Sequence, residues 1–222
     1  MIVRTTKVIW WTLPRDCASP FGLRRSYNCP AMQILFLVAV FLLGSFPTGV
    51  VVARVKGVDL RKVGSGNIGT TNVGRALGRR WAALVLLVDG GKGALPVLLA
   101  AWLFNLAWLP AAAGLVAVLG QVFSVFLKGR GGKGVATSLG AGLALAPVPA
   151  LCCAAVWVAL FAAFRIASVA SLTAVASLAT FLWLFHAGSV ANLVFSAATT
   201  VLVFWRHKDN IRRLARGGEL RV

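Results

Sequence analysis

Two stretches of the chain combine glycine, small hydroxyl or amide side chains and fixed positive charge: Gly64-Ser65-Gly66-Asn67-Ile68-Gly69-Thr70-Thr71-Asn72, continuing to Arg75, and Gly129-Arg130-Gly131-Gly132-Lys133-Gly134. Glycine lets backbone N–H groups approach an anion closely, and a nearby Arg or Lys supplies the countercharge. The chemistry this points to is phosphate binding. Donors for it are expected from Gly64, Ser65, Gly66, Asn67, Gly69, Thr71 and Asn72 in the first loop and from Gly131, Gly132 and Gly134 in the second, with Arg75 and Lys133 as the cations.

The elements between these loops are apolar. The chain is 59% hydrophobic and only 13% charged, with a mean hydropathy of +0.85, which places it among integral membrane proteins. Segments able to cross a hydrocarbon layer, each needing about 20 helical residues, fall near 33–53, 81–104, 107–127, 135–147, 148–164, 168–186 and 190–205. The expectation is an all-α polytopic protein with seven transmembrane helices. The fourth and fifth are short, separated only by Ala146-Pro147-Val148-Pro149, so a re-entrant pair or strong tilt is an alternative for them.

Charge tests the count independently. Basic residues crowd 54–80, 128–134, Arg165 and the stretch after 205, while the connections near 105–110, 146–149 and 186–190 have neither Lys nor Arg. Under the positive-inside rule every basic connection is cytoplasmic, which requires an odd number of spans, an external N-terminus and a cytoplasmic C-terminus. Residues 1–31 break this order with five basic residues and lack the apolar core of a signal peptide. They are read as a disordered extension or a mis-called start, with a single membrane domain over 32–222.

This topology gathers polar groups of one kind, donors and cations, on the cytoplasmic side: the two loops, Ser168 and Ser171 after Arg165, and His207 with Asn210 beyond the last span. With 23 Lys+Arg against 5 Asp+Glu, the partners expected are lipid headgroups and an anionic substrate, not nucleic acid. Asp89 and Lys92 lie inside the second span at i, i+3, so they either pair on one helical face or leave Lys92 to face the phosphate pocket.

Exclusions narrow the chemistry. Gly64 to Gly69 formally matches GxGxxG but leads toward a membrane span, and Gly132-Lys133 lacks the flanking residues of a P-loop. No nucleotide cofactor is expected. The five acids are scattered, so no metal-holding carboxylate cluster is expected, and the four cysteines have no metal spacing. Neither histidine is followed five residues later by aspartate, and no GxSxG elbow exists. An enzyme built from these residues must work by positioning and cationic stabilisation on a substrate that is already activated. A transporter or channel for a small phosphorylated anion is the alternative.

The motifs Gly44-Ser-Phe-Pro-Thr-Gly49, Asp59 through Gly78, Asp89 with Lys92-Gly93, Phe126 through Thr137, Arg165 with Ser168 and Ser171, and His207 through Leu214 closely resemble the bacterial acyl-phosphate:glycerol-3-phosphate acyltransferase family, the PlsY type. The resemblance runs in order from about Met32 to Glu219. It implies a seven-span enzyme of the bacterial inner membrane, its active site facing the cytoplasm. That enzyme moves a fatty acyl group from acyl phosphate to the 1-hydroxyl of glycerol 3-phosphate in phospholipid biosynthesis, with acyl phosphate supplied by an upstream phosphate acyltransferase. It implies catalytic roles for Ser65, Arg75, Lys133, Ser168, His207 and Asn210. The chain departs from the family pattern at Gly120-Gln121, where Gly-His is usual, at Ser124, often proline, and at Gly90-Gly91.

Overall fold

The computed structural model describes residues 29–221, and these are helical throughout their regular structure. The expectation for 1–31 lies outside the described residues except at its end, where the first helix begins at Pro30. In chain order the helices are α1 (Pro30–Ser45), α2 (Thr48–Val55), α3 (Thr70–Leu77), α4 (Arg79–Leu103), α5 (Leu109–Val122), α6 (Val135–Leu145), α7 (Pro147–Phe164), α8 (Ala167–Ala176), α9 (Leu178–Leu184), α10 (Val190–Arg206) and α11 (Lys208–Ala215).

Each of the seven apolar segments forms helix, but the seven-span count is not met by length. Five spans are long and apolar enough: Pro30–Val55, Arg79–Leu103, Leu109–Leu127, Pro147–Phe164 and Ala167–Leu184. Shorter apolar helices occupy Val135–Leu145 and Val190–Arg206. The reason for the first is local: Ala146 leaves helical geometry at φ −150 and Pro147 opens α7, so α6, with 11 residues, rises only about 16 Å. The second stops at 17 residues because the chain turns at His207.

Lipid gives helices no hydrophobic reason to associate, so close backbone approach must hold them. Glycine provides it at two interfaces. Gly44 and Gly120 seat α1 on α5: a Cβ at Gly44 would stand 2.3 Å from the Ala117 carbonyl oxygen, and one at Gly120 would stand 2.4 Å from that of Phe41. Gly93 and Gly140 seat α4 on α6, where the equivalent distances to Thr137 O and Gly90 O are 2.0 and 1.9 Å.

A buried polar junction ties three of these elements. Lys92 Nζ lies 2.6 Å from Asp89 Oδ1 and donates to the Phe46 carbonyl at 2.6 Å and to Gln121 Oε1 at 3.1 Å. Gln121 Nε2 donates back to Asp89 Oδ2 at 3.2 Å. Ser124 Oγ adds a bond to the Ser45 carbonyl at 2.5 Å. The end of α1, the middle of α4 and the end of α5 are thereby fixed to one another.

Gly93→Ala should push α4 from α6 and cost about 1–3 kcal/mol, whereas Gly91→Ala, whose Cβ position is open, should leave the melting temperature in detergent unchanged. Equal melting of the two variants would remove the glycine contact as the basis of this interface.

Candidate active site

The first loop is built around one side chain. Asn72, at 2% exposure, accepts from the Ser65 N–H with its Oδ1 and directs its Nδ2 at the carbonyls of Leu60, Val63 and Asn67. That wraps 60–67 around the start of α3, with Gly64 and Gly66 in the left-handed region at φ 54 and 67. A Cβ on Gly64 would sit 2.5 Å from Asn72 Oδ1. The side chain of Asn72 thus holds the loop's shape, while Asn72 also lines the cavity described below.

The second loop is held from both sides. The N–H groups of Gly131 and Gly132 donate to the carbonyls of Val122 and Gln121, closing the end of α5. Their own carbonyls accept from the Arg206 guanidinium at 2.9 and 3.2 Å. The amides of Gly131 and Gly132, expected to cradle phosphate, are thus engaged in structure, and a side chain at Gly131 would strike the Gln121 carbonyl at 2.2 Å. What the loop delivers is Lys133, followed by Gly134 at φ 81 as the residue before α6.

Lys133 projects into a cavity of about 310 Å³ that gathers the sequence-predicted residues Ser65, Asn67, Gly69, Thr71, Asn72, Arg75, Gly134, Ser168, His207 and Asn210. Gly64, Gly66, Gly131, Gly132 and Lys92 do not line it, and Lys92 instead takes the paired arrangement with Asp89. One flank of the cavity is apolar, with Leu86 on α4, Leu139 on α6 and Ala154, Trp157 and Val158 on α7. Leu86 and Val158 are 42% and 61% exposed on outer helix surfaces, so this flank meets the lipid side. On the other flank Ser65, Asn67, Lys133 and Asn210 also border a second, polar cavity of about 240 Å³, with Arg61, Arg130, Arg206, Lys208 and Arg213 around it.

One residue that sequence reasoning missed stands in the middle. Glu219 accepts from Ser168 Oγ at 2.9 Å, Asn210 Nδ2 at 2.5 Å and Arg213 Nε at 2.8 Å, and Asn210 Oδ1 accepts from Lys133 Nζ. Arg75 Nη2 reaches the Leu220 carbonyl at 3.4 Å. Glu219 thus fastens the segment after α11 to α8 and to α11 itself, and Asn210 passes the contact on to Lys133. Burial works to raise its pKa, but the hydrogen bonds from Asn210, Arg213 and Ser168 outweigh it and hold the carboxyl below its usual value.

Burial also sets the two bases. Lys133 is lowered to about 8 by burial, opposed by Glu219 and reinforced by Arg213, Arg206 and Arg75. His207 is lowered to about 4 by burial and by Lys133, so its ring is neutral near pH 7. Its Nδ1 lies 2.8 Å from the Val203 carbonyl; the neutral ring must carry its proton there, leaving Nε2 as an acceptor. His207 and Asn210 line one cavity although the helix does not run through them: α10 ends and α11 begins at His207.

A family model described as Glycerol-3-phosphate acyltransferase matches residues 34–217. The chain belongs to the glycerol-3-phosphate acyltransferase family. It is 48% identical to the Glycerol-3-phosphate acyltransferase of Myxococcus xanthus over 82% of this chain and 95% of that one. With its counterpart from Aquifex aeolicus it shares 46% identity over 86% of this chain and 100% of that one. Among solved structures it is similar to PlsY, an integral membrane glycerol 3-phosphate acyltransferase, in its glycerol 3-phosphate form, at a TM-score of 0.82 and 42% identity, covering 86% of this chain and 95% of that one. The lysophosphatidic acid form matches at a TM-score of 0.80 and 40% identity, covering 85% and 94%. The chain is accordingly an integral membrane acyltransferase of this family.

Glu219→Gln should break the three-donor clamp, since an amide NH₂ replaces one acceptor oxygen, and cost about 1–3 kcal/mol. The expected readout is a lower melting temperature together with faster proteolysis after Ala215; unchanged values for both would mean that the clamp contributes nothing.

Proposed function

We propose that the protein transfers a fatty acyl group from acyl phosphate to the 1-hydroxyl of glycerol 3-phosphate, giving lysophosphatidic acid and inorganic phosphate. The observation that carries this reading is the cavity's division into an apolar flank on the lipid side and a cationic flank of Arg75, Lys133 and the basic vestibule, within a family named for acylating glycerol 3-phosphate. An acyl chain and a water-soluble phosphate need those two environments side by side.

In the proposed reaction the hydroxyl oxygen attacks the acyl carbonyl carbon, the bond from that carbon to the phosphate oxygen breaks, and the hydroxyl proton goes to phosphate. The mixed anhydride is activated, so no protein nucleophile is required. Arg75 and Lys133 stabilise phosphate charge from the cationic side, and Ser65, Asn67, Gly69 and Thr71 of the first loop set the wall on which it rests, with Gly64 and Gly66 giving that loop its turn. Neutral His207 offers Nε2 to the attacking hydroxyl as a hydrogen-bond acceptor. Its pKa of about 4 makes it a poor carrier of that proton at pH 7, which favours phosphate as the acceptor. Ser168 and Asn210, both against Glu219, orient the bound glycerol moiety.

The proposed setting is the bacterial inner membrane, crossed seven times with the N-terminus outside, the C-terminus and this cavity on the cytoplasmic side, and α6 and α10 as the short crossings. The single acyltransferase domain runs over 32–222, in keeping with the family match over 34–217. An upstream phosphate acyltransferase supplies the donor.

Purified protein given radiolabelled glycerol 3-phosphate should form lysophosphatidate with palmitoyl phosphate but not with palmitoyl-CoA or palmitoyl carrier protein; product from either of the latter would displace the proposed donor. Lys133→Ala and Arg75→Ala should abolish turnover in folded protein. With Lys133 at about 8, its charge is present below that pH and lost above it, so kcat/KM should fall up to tenfold per pH unit above about 8. Lys133→Arg should move that limb upward, and a flat profile through pH 9 would remove Lys133's charge from the mechanism.

A further inference from the structure

Where the first long span ends and the next begins, four cations gather without an acid to match them. Arg54 lies in the last turn of α2 and Lys56 follows it, while α4 opens on Arg79 and Arg80. Because α2 packs on α4, both pairs stand at one end of the helices. All four residues are exposed, and none lines either cavity. Among the described residues the ion pairs are Lys92–Asp89, Arg212–Asp209 and Arg213–Glu219, which leaves these four without a carboxylate. Like charges at one end of a helix pair repel, and the positive pole of α4 adds to the cost of Arg79 and Arg80.

The surroundings of the patch define what it fits. Lys56 Nζ sits 4.6 Å from the centroid of the Trp81 ring, and Trp81 is itself packed on the cluster of Ala53, Leu60, Val73 and Val85, so the indole holds the ammonium in a fixed place. Tryptophan beside a basic residue is a pairing suited to the membrane–water interface. Next to the charges both helices turn apolar surface outward: Val55 on α2 is 77% exposed and Leu87 on α4 is 73% exposed, with Val51 and Leu84 exposed beside them. Arg80, Leu84 and Leu87 follow at i, i+4 and i+7 on one face of α4, Leu87 about 10 Å from Arg80 along the axis. A cation at the head of an apolar ridge matches an anionic phospholipid, whose phosphate and chains are joined in that order. A water-borne anion has no use for the ridge, and an acidic protein would meet it inside the bilayer.

We propose that the side chains of Arg54, Lys56, Arg79 and Arg80, set around Trp81, seat the headgroup of one anionic phospholipid of the surrounding bilayer, with its chains against the exposed ridges of α2 and α4. This seat requires an integral membrane protein and not the acyl-transfer reaction. The effect on the fold is local. Residues 57–78, which carry the first glycine-rich loop and α3, depart from the apolar helices at Lys56 and rejoin them at Arg79, so one headgroup bridging the two pairs ties both ends of that segment. A bound anionic lipid thereby steadies a wall of the cavity without touching it.

The test counts the lipids retained by the full-length protein in detergent, by native mass spectrometry, on titration with dioleoylphosphatidylglycerol or dioleoylphosphatidylcholine. The wild type should retain one phosphatidylglycerol in preference to phosphatidylcholine and melt at a higher temperature with it. Lys56→Gln together with Arg80→Gln should weaken that retention about thirtyfold, the effect of two interfacial cations, and abolish the rise in melting temperature. Arg54→Gln together with Arg79→Gln should do the same, and keeps the test available if the first pair fails to fold. Lys56→Arg with Arg80→Lys should behave as the wild type. Arg212→Gln with Arg216→Gln removes as much charge from the proposed cytoplasmic side and should leave retention unchanged. Inorganic phosphate, which has no chains, should not displace the lipid. Equal retention of the two lipids, unchanged retention in both patch variants, an equal loss in the Arg212 and Arg216 variant, displacement by inorganic phosphate, or binding of poly-glutamate to the patch in place of lipid would overturn the proposal.

Discussion

A lysine at the depth of a transmembrane helix cannot be left alone, and that constraint organises this fold. Lys92 must find compensation for several kcal/mol of lost hydration, of the order expected for a buried charge, and it does so by engaging Asp89 on its own helix, Gln121 on α5 and the carbonyl of Phe46 after α1. Once those partners are met, three helix segments have only one relative placement. Gln121 carries the constraint onward, because its backbone carbonyl receives the Gly132 N–H and its side chain lies against Gly132, where a Cβ would stand 3.0 Å from Nε2. The loop that presents Lys133 is thereby registered to the buried Asp89–Lys92 pair.

The two glycine-rich loops solve different problems with the same residue. In the first, glycine supplies positive φ so that eight residues can fold back over a single asparagine. In the second, it supplies thinness, because α5 and Arg206 approach the peptide from opposite sides and leave no room for a side chain at Gly131. Both are scaffolds, and the groups that they expose toward the cavity are the neighbours of the glycines: Ser65, Thr70 and Thr71 in one case, Lys133 and the start of α6 in the other.

The apolar segments were legible because lipid demands uninterrupted hydropathy, and the i, i+3 spacing of Asp89 and Lys92 allowed their pairing, which the structure shows, without deciding it against a pocket-facing Lys92. The gathering of the two loops, Ser168, His207 and Asn210 was legible from the alternation of basic and neutral connections. Three features were not. Glu219 carries no spacing signal, since its contacts lie 51 residues back at Ser168 and on α11 at Asn210 and Arg213. The role of Asn72 depends on loop curvature, which composition does not encode. Whether a glycine amide faces a ligand or a carbonyl depends on what packs behind it, and for Gly131 and Gly132 that was the end of α5. Helix length was not legible either: hydropathy marks α6 as membrane material without saying that Pro147 stops it at 11 residues.

The cavity's two flanks carry a kinetic consequence. A ligand reaching Lys133 through the basic vestibule arrives from water and is counted in moles per litre, whereas one arriving past Leu86 and Val158 is counted as a mole fraction of the lipid around it. On the proposed acyl-transfer reading, such a protein would obey surface-dilution kinetics. Adding inert detergent or lipid at constant total ligand thins the second population without touching the first, so its saturation behaviour depends on the composition of the bilayer as much as on the amount of substrate supplied.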